Sequence, residues 1–192
     1  MEADWAVEIG PDAPSIDVPW EGFVYLRNHS SGAIQMVPEA AGHPALFNAL
    51  FALNSQNSPV FTSKCDLWTM DQEEIDVYEF AARPETARRG FASYLDVLLL
   101  DQEKYQSFEF HQCWVRLITE QLHSRTLASC RVDLVVRAAT VHSECGYGLT
   151  IYAAGYGEGE QAAYVRWEAV LMAAAHATMS VACSLPEWAP AG

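Results

Sequence analysis

The residues of this sequence whose types could do chemistry fall into a few groups, and His111 leads them because of its spacing. Helical periodicity puts it near Phe108, Trp114, Val115 and Ile118, on the apolar side of its segment, while His123 falls with Gln112, Arg116 and Glu120 on the wet side. An imidazole titrates close to neutral pH, so in a cleft walled by Phe108 and Trp114 it could act as acid or base, with Glu109 and Tyr105 near in sequence. A packed histidine with one hydrogen bond is the ordinary alternative. His111, Trp114 and Phe108 are the candidate ligand-binding residues, and no catalytic set is assigned.

His142 and Cys145 stand three apart with Glu144 between them, and both are metal-ligating types. A structural zinc takes four ligands, and neither a CxxC pair nor a HExxH helix completes the set, so no metal is expected. The acidic run Asp71, Glu73, Glu74 and Asp76 lacks the alternating acids and glycine of a calcium loop and reads as a solvated connection. Gly155, Gly157 and Gly159 miss the last glycine of a dinucleotide fingerprint and read as a strand-to-helix turn. With no phosphate loop or nucleophile elbow either, no cofactor is expected.

The stretch from Cys130 to Cys183 must position whatever site exists. Val132, Leu134, Val136 and Ala138 alternate with polar neighbours, and Tyr147, Leu149, Ile151 and Ala153 do so after a polar connection, which predicts an antiparallel hairpin. Ala163, Trp167, Val170, Ala174, Ala177 and Val181 then follow at helical steps and predict a long helix lying on that hairpin. From Ala169 to Ala175 every residue is apolar, so this helix must be covered on more than one side.

Upstream, Pro11, Pro14 and Pro19 predict that residues 1–20 run extended over the surface, anchored by Trp5 and Trp20. Gly22 to Leu26 and Ala33 to Val37 read as short strands of a first hairpin, and Pro44 opens a helix carrying Leu46, Phe47, Leu50 and Leu53. A strand containing Phe61, Ser63, Cys65 and Leu67 follows. Ala87, Phe91, Tyr94, Leu95 and Leu98 predict a helix from Pro84 to Leu100, and Asp101 caps the segment that leads to Phe110, Trp114, Leu117 and Leu122, forming an inserted helical pair. The expected fold is α+β: a mainly antiparallel sheet of about five strands, hairpin-plus-helix units at both ends, the inserted pair, and the long C-terminal helix packed on the sheet.

A chain of 192 residues fits one domain, taken as 1–192 with an extended segment at 1–20 and a tail at 184–192. Twenty-five acids against 11 Lys and Arg give a net charge of -14, which argues against nucleic acid, whose binders carry basic patches. The apolar run near Ala169 is too short for a membrane span, and Glu2, Asp4 and Glu8 stand where a secretory signal would be apolar, so the expected location is the cytoplasm. Five cysteines without regular spacing are expected to be reduced, with Cys65, Cys130 and Cys183 packed as small hydrophobes. These features point to an acidic, non-enzymatic domain that binds a basic protein partner or forms a homodimer through Ala169, Ala173 and Ala175. The alternative is a small-molecule-binding domain or enzyme with its pocket between sheet and helical pair near His111 and Trp114.

Overall fold

Strands β5 (Cys130–Val141) and β6 (Glu144–Gly157) form the antiparallel hairpin that the alternation predicts. His142 and Ser143 make its two-residue turn with φ of 47° and 75°, the paired positive values whose twist matches that of the flanking strands. The computed structural model describes residues 1–28, 31–76 and 87–185. Among these are six strands and five α-helices, with short 3-10 turns at Leu26–Asn28, Pro38–Ala40 and Gln72–Glu74.

The remaining strands build outward from the hairpin. β4 (Arg89–Leu99) lies antiparallel beside β6, and β3 (Val60–Asp71) antiparallel beside β4. On the other side, β1 (Glu2–Glu8) and β2 (Ile16–Val18) both pair with β5, and they do so in parallel. The order is β1-β5-β6-β4-β3 with β2 continuing the β1 edge, so the α+β class holds and the sheet, expected to be mainly antiparallel, is mixed, with three antiparallel pairings and two parallel ones.

Three expectations are corrected here. The helix predicted from Pro84 to Leu100 is the strand β4 over its described part; residues 84–86 lie outside the described residues. β4 is flanked by two strands and nearly every side chain along it is buried, so its apolar residues fall on both faces and mimic a helical stripe. No strand forms at Gly22–Leu26 or Ala33–Val37; the first runs into a 3-10 turn and the second overlaps helix α1 (Ser31–Ile34), so the hairpin-plus-helix unit is not repeated. The Arg27 guanidinium pins this stretch instead, donating to the carbonyls of Gln56, Ser58 and Val60 at 2.8, 2.6 and 3.3 Å. Residues 1–20, finally, are extended as expected but do more than cross the surface: they supply the two parallel strands, with Ala3, Ile16 and Val18 buried. Their prolines fall between and after the strands, where they remove no ladder donor.

The helices follow the predicted periodicity. α2 (Pro44–Leu53) buries Leu46, Leu50 and Leu53. α3 (Gln102–Gln106) and α4 (Phe108–His123) are capped by Asp101 and Ser107, whose side chains accept from the amides of Lys104 and Phe110. α5 (Glu160–Ser184) packs on β6 and β4 with α2 and α4 also against it. That placement accounts for the unbroken apolar run: Ala173, Ala174 and Ala175 are buried within one chain, while Ala169 faces out. The glycine cluster does more than turn the chain. Gly155 and Gly157 lie within β6, and a Cβ on Gly155 would stand 2.2 Å from the Trp167 amide nitrogen, so the missing side chain is what lets the α5 backbone touch the strand. No helix among the described residues is long and apolar enough to cross a membrane.

Candidate functional site

His111, Trp114 and Phe108 do come together, inside the helical layer. His111 is 0% exposed; its ring meets Phe110, Trp114 and Tyr147, and its Nδ1 lies 2.8 Å from the Ser107 carbonyl. Burial pushes the imidazole down to about 4, with the Ser107 and Tyr147 carbonyls partly opposing, so at neutral pH it is uncharged and Nδ1–H donates to Ser107. Trp114 is equally enclosed and its Nε1 donates to the Thr178 carbonyl at 3.1 Å, tying α4 to α5. Phe108, half-buried, packs on Tyr147. These rings pack α4 against α5 and the β6 end, and no cleft described below reaches them.

The ligand-type residues of the turn are spread out. His142 sits in the β5–β6 turn and Cys145 is exposed beside it, and among the described residues no three His, Cys, Asp or Glu side chains gather as a metal would require. Cys130 is buried, Cys65 half-buried, and Cys183 exposed rather than packed, because it lies at the last turn of α5.

A different region gathers polar chemistry: the face of the sheet opposite α2, α4 and α5. Alternation decides which residues reach it. Ser93, Gly155, Trp5 and their same-parity neighbours point to the helices, so the register leaves Tyr94 and Asp96 of β4, Thr150, Tyr152 and Ala154 of β6, and Arg131, Asp133 and Arg137 of β5 on the other side. β1 adds Asp4 and Glu8, and β3 adds Asp66 and Trp68. One end of this face is closed by Ile16 of β2, which lies against Gly148 with Leu98, and by Tyr105 against Gly146. The rest is covered by no described helix, and it forms a shallow depression of about 370 Å³ floored by Trp68, Ala92, Tyr152 and Ala154.

Its electrostatics are set by partnered cations and less fully partnered anions. Arg131 lies bidentate on Asp133 at 2.7 to 2.9 Å, and Arg137 pairs with Glu8 at 2.9 Å while reaching the Tyr152 hydroxyl at 3.3 Å. Asp96 is only 8% exposed and accepts one bond, from Thr150 Oγ1 at 2.6 Å. Burial raises its carboxyl above the usual range, partly offset by the Thr150 bond and the charges of Arg137 and Lys64. Tyr94, its ring tilted against that of Tyr152 at 6.0 Å, has its hydroxyl raised by burial and then by Asp96 and Asp66. Trp68 stays 38% exposed.

Sequence reasoning places none of these residues in a site. Asp96 and Tyr94 are hidden by the helical reading of β4, and β1 by the prolines that follow it. The usable signal is the polar face of the hairpin, where Arg131, Asp133 and Arg137 alternate with Val132, Leu134 and Val136, and Tyr152 alternates with Ile151 and Ala153. No protein-family model, curated protein or solved structure matches this chain.

Proposed function

We propose that this protein is a non-enzymatic binding domain that docks a basic protein partner on the sheet face that no described helix covers. The observation that carries the reading is an aromatic-bearing sheet face, with Trp68 38% exposed, that no described helix covers, in a chain of net charge -14. Aromatic rings ringed by charge are the residues that anchor interfaces, and the acidic rim of Asp4, Glu8 and Asp66 steers a partner of opposite sign. The same charge disfavours a two-fold homodimer through this face, since that symmetry sets each acidic rim against its copy. The Ala-rich run of α5 supports a dimer weakly, because Ala173 and Ala175 are already enclosed by α2, α4 and the sheet.

The test is capture of a basic protein from cell extract at low salt by the immobilised wild type, its release at raised salt, and its loss in a folded Trp68→Ala/Tyr152→Ala double variant. Crosslinks to the captured protein should map to β1, β3 and β6. Capture that survives the double variant unchanged, or crosslinks confined to α2 and α5, would sink the proposal.

A further inference from the structure

A second cleft lies where the outer edge of β3 meets the chain that passes over it, and it encloses about 640 Å³, the size of a small-molecule pocket. Its apolar lining includes Trp20, Val24 and Met36, the last 72% exposed. Its floor is a β-bulge: the register of β3 on β4 slips between Thr62 and Cys65, which frees Ser63 and Lys64 from regular pairing. Ser63 lines the cleft, and its Oγ is enclosed with no hydrogen-bond partner, so turning it toward a ligand breaks no existing bond.

The charge inside this cleft is negative. Cys65, also in its wall, is pushed up to about 12, first by burial and then by the carboxylates of Glu39, Asp66 and Asp96, which reach it from three separate elements. Glu39 and Asp66 line the cleft itself. The one lysine there, Lys64, is turned onto the Trp20 ring at 5.4 Å.

We infer that this cleft is a binding site for a small organic ammonium compound, its apolar body between Trp20 and Met36 and its charged group toward Glu39 and Asp66. This site stands independently of the docking face, although Asp66 and Tyr94 border both.

The experiment is calorimetric titration of the full chain with phenethylammonium, phenethyl alcohol and phenylacetate, which share a body and differ in charge. The cation should bind about tenfold more tightly than the alcohol, and phenylacetate more weakly still. Trp20→Ala should weaken the cation and the alcohol alike, whereas Glu39→Gln should weaken the cation alone, by about threefold to tenfold, with the melting temperature of both variants checked. Met36→Ala, at a more exposed wall position, replaces Trp20→Ala if that variant does not fold. Equal binding of all three compounds, or cation binding indifferent to both a wall variant and Glu39→Gln, overturns the inference. A blocked peptide with lysine between apolar residues is the last arm: weaker binding than the amine supports a free small molecule, and tighter binding overturns it in favour of a protein segment.

Discussion

On β4, side chains one position apart live in different chemistries. Ser93 points to the helices and is fully buried; its Oγ receives the Trp167 indole N–H at 2.8 Å, and the surroundings are Phe91, Trp167 and Tyr164 in ring contact. Tyr94 points the other way, toward Tyr152, Asp66 and Asp96. The helix-side face holds a closed core in which Trp114 and Trp167 are fully buried and their indole N–H groups donate to the Thr178 carbonyl and to Ser93 Oγ. The far face keeps charge near its surface, holds its arginines in pairs, and leaves a tryptophan half out. Stability should therefore reside on one face and recognition on the other, and substitutions can separate the two.

The sharpest break is Trp167→Ala. Its ring is 0% exposed, so the substitution should cost about 3 to 5 kcal/mol in urea unfolding, and a cost below about 1 kcal/mol would mean that the helix-side core is not what holds the fold. Next comes the pH dependence imposed by His111, whose imidazole lies at about 4 when folded against an ordinary 6.5. The unfolded chain binds that proton in the interval and the folded one does not. The His111 contribution is therefore complete above 6.5 and is lost as pH drops toward 4, by about 2 to 4 kcal/mol, a share of the slope that His111→Gln should remove.

On the far face the sign reverses and the effect is smaller, because Thr150 and Arg137 offset the burial of Asp96. A carboxyl raised in the folded state stays protonated there while its unfolded counterpart ionises, so it costs stability as pH rises from its ordinary 3.8 through the raised folded value. Asp96→Asn should remove this loss, and a variant less stable than wild type at neutral pH would mean that the charge is favoured where it lies. Smallest in stability is Trp68→Ala, expected to change unfolding free energy by less than about 1 kcal/mol while weakening partner capture; a large loss of stability would make Trp68 part of the fold rather than of an interface.

Which parts of this arrangement could be read from residue order follows from how many sides each element has covered. The β5–β6 hairpin, α2, α4 and α5 each keep a periodic apolar pattern because one side meets water or a polar face, and all were legible. β4 is buried on both faces along most of its length, and Phe91, Tyr94, Leu95 and Leu98 imitate a helix at the spacing where a strand stands. β1 does alternate, Ala3 inward against Asp4 outward, but it pairs with a strand from the far end of the chain, and no local pattern announces that. The candidate face was hidden for the same reason: it is assembled from five strands, and Asp96 meets Thr150 and Arg137 only once the register is known.

The parallel pairing of β1 and β2 with β5 also bears on the order in which the chain can fold as it is made. The β3–β4 and β5–β6 ladders join strands that follow one another, so each can close soon after synthesis. The two first strands cannot; they leave the ribosome long before β5 exists and must wait unpaired for it. When β5 does arrive, the side that β1 will occupy is an open ladder that any extended chain can take, so the interval before β1 docks is when a nascent copy is exposed to mispairing with its neighbour.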